Sequence, residues 1–306
     1  MTPFALLFPG QGAQSVGMGK ELAEAFPIAR ARFDEADSIL GYSLSKLCWE
    51  GPAEELTRTE HCQPALYVTS MAALAALESL GPVKPSAAAG LSLGEYTALA
   101  AAGAVSFADG LKLVRLRGQA MEEAARARPG TMASVLGLDL EQLQGVCAET
   151  GAQVANLNSP GQVVISGTAE SVAAASAKAK EKGAKRVIPL EVGGAFHSRL
   201  MEPAGLRLRQ GLQSFAVQAP RYPVASNVTG AYHGDPAQIR ELLVRQLTEP
   251  VQWIACVRTM AEKDIKTYVE VGSGTVLKGL VRKIDPEAAV YSAGTPEEIR
   301  GWRFEA

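Results

Sequence analysis

The feature that most constrains this chain is a serine placed between glycines, where a strand-like pattern gives way to a helical one. Residues 90–94 match the pattern G-x-S-x-G around Ser92, directly after three alanines at 87–89 that suit a buried strand. A helical pattern follows over residues 95–102. In such a turn, small neighbours relieve backbone strain and leave the central hydroxyl exposed at the carboxyl end of a sheet. The context predicts that Ser92 is a nucleophile, and a purely structural turn is the alternative.

The remaining pattern predicts a sheet with helices on both faces. Phe4–Phe8 is a short apolar strand that ends in a Gly-rich turn, and residues 266–271 form a later strand. Helical patterns cover residues 63–80 and 106–127. Strands that alternate with helices indicate a largely parallel sheet. The pattern assigns no element from Thr295 onward.

Between residues 130 and 190 the order of the predicted elements changes. In sequence these are strand 131–136, helix 139–150, strands 153–158 and 162–166, helix 169–182 and strand 185–190. The turn at residues 159–161 makes the two middle strands a hairpin. The order β-α-β-β-α-β is that of a ferredoxin-like unit. Inserted into a larger α/β domain, such a unit creates a second lobe, and the cleft between lobes is a preferred ligand site.

Composition excludes some classes of function. A net charge of −2 over 306 residues argues against a nucleic-acid binder that relies on a basic field. The four cysteines are scattered without a CxxC pair, which favours reduced thiols in a cytosolic protein. No apolar run approaches the roughly 20 residues that span a bilayer, and the apolar start is too short for a signal peptide. We therefore expect a cytoplasmic protein.

A serine hydroxyl needs a base to become a nucleophile, and the chain offers three histidines. His61 precedes a predicted helix and is interpreted as a capping or surface residue. The composition around His233 predicts a solvent-exposed loop. His197 lies on a tight connection just after the predicted small lobe. Its position alone leaves two interpretations open, a base for Ser92 and a structural histidine.

Seven segments of the chain together resemble the signature motifs of the malonyl-CoA:acyl-carrier-protein transacylases. They are LFPGQGAQ (7–14), GLSLGEY (90–96), RLRGQAM (115–121), NSPGQVVISG (158–167), AFH (195–197), QL before PVQW (246–253) and EVGSGTVL (270–277). They follow the family's order across nearly the whole chain. The resemblance implies transfer of malonyl from malonyl-CoA to the phosphopantetheine thiol of acyl carrier protein, which supplies fatty-acid elongation. It implies a ping-pong mechanism through malonyl-Ser92 without a bound cofactor or metal.

The resemblance also implies roles for individual residues. Ser92 would be acylated and His197 would be its base, oriented by the backbone carbonyl of Gln246 rather than by a carboxylate. The backbone N–H groups of Gln11 and Leu93 would form the oxyanion hole. Without the resemblance, Gln11 would be interpreted as a turn residue.

Arg117 is also unusual on the helical pattern alone. It falls on the apolar stripe of helix 106–127, opposite a polar face. An arginine on such a stripe keeps its charge and needs an anionic partner. The partner is either a protein carboxylate or the free carboxylate of a malonyl group held by the fork of the guanidinium. The resemblance favours the malonyl group.

Two further positions bear on specificity. Leu91 stands where the family usually has histidine, so any contact made by that histidine is lost. Phe196 resembles the residue of malonyl-selective polyketide acyltransferases, where methylmalonyl-selective relatives carry a smaller one. A bulky ring would exclude a branch at the α-carbon, by no more than roughly 10–200-fold.

The carrier protein is acidic, which predicts a basic patch near the cleft. Candidate residues for this contact with acyl carrier protein are Lys182, Lys185, Arg186, Arg282 and Lys283. Plain solvated surface is the alternative interpretation.

The predicted fold is α/β, with an α/β-hydrolase-like large domain that has a parallel-sheet core and an inserted ferredoxin-like small domain. The large domain would comprise residues 1–127 and 194–306, and the small domain residues 128–193. Three other functions are considered: a free-standing acyltransferase for a polyketide synthase, a serine thioesterase or hydrolase, and a catalytically dead docking subunit. Arg117 and the lack of an obvious third acid argue against the hydrolase, and the presence of Ser92, His197 and Arg117 together argues against the docking subunit.

Overall fold

The computed structural model describes residues 2–302, so Met1 and residues 303–306, which the predicted large domain includes, lie outside it. The elements are β1 (Phe4–Phe8), α1 (Lys20–Ala25), α2 (Pro27–Leu40), α3 (Leu44–Glu50), α4 (Ala53–Thr57), α5 (Thr59–Leu80), β2 (Ala87–Gly90), α6 (Leu93–Ala101), α7 (Phe107–Ala127), β3 (Thr131–Leu136), α8 (Leu140–Thr150), β4 (Gln153–Ser159), β5 (Gln162–Gly167), α9 (Ala169–Glu181), β6 (Arg186–Pro189), a 3-10 turn (Arg199–Met201), α10 (Glu202–Leu212), α11 (Pro236–Arg245), α12 (Trp253–Ala261), β7 (Thr267–Val271), α13 (Val276–Ile284), β8 (Ala289–Ala293) and α14 (Pro296–Gly301).

The larger sheet has the strand order β2-β1-β7-β8, and every neighbouring pair is parallel. Alternate residues of β1 enter different cores, because successive side chains of a strand point to opposite faces. Leu6 and Phe8 pack with helices α5 and α7 on one face, and Ala5 and Leu7 pack with α12 and α13 on the other. The predicted parallel sheet with helices on both faces is confirmed.

The smaller sheet has the order β4-β5-β3-β6 and is antiparallel throughout. This is the strand order of a ferredoxin-like unit, and its strands and helices lie within two residues of their predicted bounds. Helices α8 and α9 cover one face with a separate apolar cluster. The sheet lies inside the predicted insert, and the domain boundaries at 128 and 193 stay a prediction.

The two lobes are joined along the outer edge of β4. Val251, in the large lobe, donates its backbone N–H to Ala155 O at 2.9 Å and accepts from Leu157 N at 2.9 Å. Met132 and Val164, on the face of the small sheet away from α8 and α9, belong to the main core of the large lobe. The second face of the small sheet therefore forms one wall of the space between the lobes.

Two elements differ from the prediction. Helix α5 begins at Thr59, before the predicted start at residue 63, and contains Pro64. A proline inside a helix costs about 3 kcal/mol, and the burial of 17 of the 22 residues of α5 acts against this cost. The prediction assigned no element from Thr295 onward, and the described part of this segment forms helix α14 with a capping box between Thr295 and Glu298. Among residues 2–302 no helix has both the length and the apolar character that a membrane span needs.

Candidate active site

Ser92 occupies a strained turn between β2 and α6. Its φ is 54° and its ψ −101°, in a region that non-glycine residues enter at a cost of about 1–3 kcal/mol. A Cβ on Gly90 would lie 1.9 Å from the carbonyl carbon of Gly94, and one on Gly94 would lie 2.0 Å from Phe8 O. Both glycines are therefore required by the close approach of backbone, as the motif predicts.

The hydroxyl of Ser92 faces an oriented histidine. Its Oγ lies 2.8 Å from His197 Nε2, and His197 Nδ1 lies 2.7 Å from the backbone O of Gln246. Because a carbonyl oxygen only accepts, Nδ1 carries the proton and Nε2 is left to accept from the serine. Burial, and then the charge of Arg117, lower the pKa of His197 from 6.5 to about 4. The ring is neutral at pH 7, as a general base must be.

Arg117 reaches the same serine from helix α7. Its Nη2 lies 3.0 Å from Ser92 Oγ and 2.9 Å from Gln246 Oε1, and its guanidinium sits 5.0 Å from the ring centre of Tyr96. The residue is only 1% exposed, and its Nε has no hydrogen-bond partner among the described residues. Within residues 2–302 no carboxylate forms an ion pair with Arg117, which excludes the alternative of a protein carboxylate as its direct partner.

A cavity of about 320 Å³ opens at Ser92 between the two lobes. The large lobe contributes predicted residues to its lining, which are Gln11, Leu93, Arg117, Phe196 and His197, and the small lobe contributes Met132 and Val164. Leu93 is the first residue of α6, where backbone N–H groups have no acceptor within the helix. Leu91 also lines the cavity. Gln246 is fully buried behind Ser92 and His197.

A polar network behind the serine was not predicted. Asn227 accepts from the backbone N–H of Ser92 at 2.7 Å and donates to Gly90 O at 2.8 Å. Glu95, fully buried in the first turn of α6, accepts from Asn227 N at 3.1 Å and from Gln246 Nε2 at 2.5 Å. The sequence held one indication for Glu95, which is a carboxylate on an otherwise apolar helix. It held no indication for Asn227.

The prediction for His233 was wrong, and that for His61 differs from the structure in its position relative to the helix. His233 is buried rather than solvent-exposed, with its Nε2 2.7 Å from Glu95 Oε1. The partner that makes burial possible is 138 residues away in sequence, so local composition could not indicate it. His61 lies inside α5 rather than before it and is half-buried, with its Nδ1 3.0 Å from Glu55 O.

The five predicted basic residues are all exposed, and several come together at one end of the small sheet. Lys185 donates its backbone N–H to Leu136 O at 2.8 Å, and Arg186 pairs with Leu136 across the sheet. Lys283, from α13, donates through Nζ to Gln162 Oε1 at 3.0 Å. Because Leu136 and Gln162 are paired neighbours, the cations from β6 and α13 approach the same end of the sheet.

Comparison with known proteins finds the family that the sequence motifs resemble, over almost the full length of the chain. The sequence matches the acyl transferase domain family over residues 5–291. The malonyl CoA-acyl carrier protein transacylase of Bacillus subtilis (strain 168) is 48% identical over 304 residues, which are 98% of this chain and 96% of the relative.

Solved structures agree in fold. The acyl-carrier-protein S-malonyltransferase of Bartonella henselae superimposes with a TM-score of 0.94 at 42% identity, over 97% of each chain. A malonyl-transacylase solved in complex with a type II PKS acyl-carrier protein has a TM-score of 0.95 at 39% identity, over 97% of this chain and 98% of the other. This chain belongs to the acyl transferase domain family, among the malonyl CoA-acyl carrier protein transacylases.

Proposed function

We propose that this protein transfers the malonyl group of malonyl-CoA to the phosphopantetheine thiol of acyl carrier protein, through malonyl-Ser92, and so supplies fatty-acid chain elongation. The observation that carries the proposal is the position of Arg117. Its guanidinium is buried beside the Ser92 hydroxyl at 3.0 Å and has no carboxylate partner in the described chain. A buried cation in that place fits an acyl group that brings its own carboxylate.

In the first half-reaction Ser92 Oγ attacks the thioester carbonyl carbon while His197 Nε2 takes the hydroxyl proton. The oxyanion accepts hydrogen bonds from the backbone N–H groups of Gln11 and Leu93. The C–S bond then breaks, and the coenzyme A sulfur leaves with the proton from His197. The products are malonyl-Ser92 and free coenzyme A.

In the second half-reaction the phosphopantetheine thiol attacks the ester carbonyl, and His197 takes the thiol proton. The C–O bond to Ser92 breaks, and the proton returns to the serine oxygen. The carbonyl of Gln246 keeps the ring in the same tautomer through both steps, because it accepts from Nδ1 at 2.7 Å. Neither step changes an oxidation state, so proton transfer and charge stabilisation suffice.

The selection of the acyl group rests on a cation and an apolar wall. Arg117 grips the carboxylate, and Phe196, which is 6% exposed, lines the cavity beside His197. Met132 and Val164 from the small lobe line the same cavity, so a branch at the acyl α-carbon would have to fit among these apolar side chains. A branch of one methyl group is disfavoured by about 10–200-fold in a pocket of this kind.

The docking surface for the acidic carrier protein is the basic end of the small sheet, where Lys185, Arg186 and Lys283 come together. Lys182 and Arg282 are further candidate contacts. Gln162, which Lys283 contacts, is two residues from Val164 on β5. Their side chains share one face of the strand about 7 Å apart. Since Val164 lines the cavity, a carrier bound at this end has its thiol arm close to the entrance.

The decisive experiment is the intact mass of the protein after mixing with malonyl-CoA in the absence of carrier protein. The wild type is expected to gain one malonyl group and the Ser92→Ala variant none. Addition of holo acyl carrier protein should then discharge the adduct onto the carrier. Rapid release of free malonate without an adduct would instead indicate a hydrolase, and no reaction at all would contradict the proposed donor.

A further inference from the structure

Arg117 and Glu95 are a buried cation and a buried carboxylate that a single amide group keeps apart. The side chain of Gln246 lies between them, where its Oε1 is 2.9 Å from Arg117 Nη2 and its Nε2 is 2.5 Å from Glu95 Oε2. Glu95 and Gln246 are fully buried, and Arg117 is 1% exposed. The negative charge that offsets the buried guanidinium is therefore close to it but does not contact it.

The direction of the Gln246 amide follows from its partners. A reversed amide would place its NH₂ group against the guanidinium and its oxygen against the carboxylate, which leaves donors facing donors and acceptors facing acceptors. Nε2 also donates to Ser92 O at 2.9 Å and approaches Asn227 Oδ1 at 3.3 Å. The shortest of these contacts is the one to Glu95, and it is the only one to a charged acceptor.

Glu95 is held in place independently of Arg117. His233 Nε2 lies 2.7 Å from its Oε1, and Asn227 donates a backbone N–H to its Oε2 at 3.1 Å. His233 Nε2 is the donor in this contact, because a carboxylate oxygen only accepts. The carboxylate is thus anchored from the side away from the substrate.

We propose that Glu95 is a positioning residue that determines specificity for acyl groups with a carboxylate, and that it acts on Arg117 through the amide of Gln246. By holding the Gln246 oxygen toward Arg117, it fixes the guanidinium beside Ser92 and leaves no protein carboxylate in direct competition with the substrate. This inference rests on the proposed function. A direct Glu–Arg pair would fill the same donors that the malonyl carboxylate needs.

The test is the ratio of kcat/KM for malonyl-CoA to that for acetyl-CoA, measured in the wild type and in Glu95→Ala. Loss of a charged hydrogen bond should lower this ratio by about tenfold or more. In an Arg117→Ala background the ratio is already low, and Glu95→Ala should lower it no further. If Glu95 only stabilised the serine turn, Glu95→Ala would lower kcat/KM for both substrates equally and leave the ratio unchanged. That result would overturn the proposal.

Three further variants distinguish an effect through the Gln246 amide from a general loss of stability. Glu95→Gln preserves an acceptor for the Gln246 amide, so the malonyl-to-acetyl ratio should stay close to that of the wild type. A decrease as large as in Glu95→Ala would contradict an action of Glu95 through this hydrogen bond. Gln246→Met keeps the backbone carbonyl for His197 and removes the amide, so it should lower the ratio even if Glu95→Ala does not fold. Glu270, a buried carboxylate that accepts from Leu277 N at 3.0 Å, is the matched control, because Glu270→Ala should lower the Tm and leave the ratio unchanged.

The outcome also separates this inference from the proposed function. If Arg117→Ala itself leaves the malonyl-to-acetyl ratio unchanged, the carboxylate clamp is wrong and both proposals fail. If Arg117→Ala abolishes the preference and both Glu95→Ala and Gln246→Met retain it, only the role of Glu95 is wrong.

Discussion

The Nη2 of Arg117 lies 3.0 Å from the Oγ of Ser92, the atom that would carry the acyl group. In malonyl-serine one methylene group separates the ester carbonyl from the free carboxylate. A guanidinium this close to the ester oxygen can therefore hold the carboxylate of the same acyl group. In the proposed mechanism the attacking oxygen and the cation that selects the acyl group are therefore direct neighbours.

Replacement of Arg117 by alanine should remove malonyl transfer and retain transfer of an uncharged acyl group. We expect kcat/KM for malonyl-CoA to fall by roughly 100-fold or more, because two charged hydrogen bonds of about 1.5–3 kcal/mol each are lost. Steady-state rates with malonyl-CoA and acetyl-CoA measure the effect. Persistence of malonyl transfer at the wild-type rate would exclude the carboxylate clamp.

Replacement of Phe196 by alanine should admit a branched acyl group. The ring is buried in the cavity wall beside His197, and its removal opens space at the acyl α-carbon. The preference for malonyl-CoA over methylmalonyl-CoA should fall by about 10–200-fold, which competition between the two substrates measures. Phe215, a partly buried ring that does not line the cavity, supplies the control variant Phe215→Ala, for which the preference should not change.

The pH dependence of the rate should differ between charged and uncharged substrates. With acetyl-CoA, the rate should fall as the pH drops toward 4, because His197, with a pKa of about 4, becomes protonated there. Arg117 is one cause of that low pKa, and a bound malonyl carboxylate offsets its charge. The acid limb of kcat for malonyl-CoA should therefore lie at higher pH than the limb for acetyl-CoA. Identical limbs for the two substrates would show that the carboxylate does not neutralise Arg117.

The same pKa affects stability. Because the folded protein holds His197 neutral down to about pH 4 while the unfolded chain protonates near 6.5, the unfolded state binds more protons between these values. Stability should therefore decrease as the pH falls from 6.5 to 4, by about 3 kcal/mol from this group. Denaturant unfolding of the wild type and of His197→Gln across this range measures the contribution, which the variant should lack.

Replacement of glycine by alanine should have opposite effects on stability in the serine turn and in an ordinary helix. Gly94→Ala would place a Cβ 2.0 Å from Phe8 O, a backbone atom that cannot move without disturbing β1, so unfolding or loss of activity is expected. Gly145 lies on the exposed face of α8, and a Cβ added there would have no neighbouring atom within 4 Å. Gly145→Ala should stabilise the protein by about 0.5–1 kcal/mol. Thermal unfolding of both variants tests the contrast.

Charge reversal at the basic end of the small sheet should weaken only the second half-reaction. The double variant Lys185→Glu with Arg186→Glu is expected to raise the KM for carrier protein several-fold, more at low salt, without altering acylation by malonyl-CoA. Lys20, an exposed cation at the start of α1, is a control for the loss of surface charge. An unchanged KM in the double variant would place the docking surface elsewhere.

Local patterns were sufficient for the parts of this protein that local geometry controls. The turn at Ser92 depends on Gly90 and Gly94, whose positions are visible in five consecutive residues. The burial of Arg117 follows from the 3.6-residue period of α7, on which it shares a stripe with buried apolar residues. The strand and helix order of the small lobe was also predicted, because its turns are marked by glycine and proline.

The contacts that organise the site depend on tertiary structure. Ser92 and His197 are 105 residues apart and His197 and Gln246 are 49 apart, so no short pattern links them. The serine turn alone predicted Ser92 as a nucleophile, whereas only the family resemblance assigned roles to His197 and Gln246. His233 was assigned to solvent from the composition of its loop, because its buried partner, Glu95, lies on another element 138 residues away. The sequence by itself determined which segments become strands, helices and the serine turn, because those depend on near neighbours. Only the tertiary structure decided which polar groups meet in the interior, because a hydrogen bond there is set by the packing of distant elements.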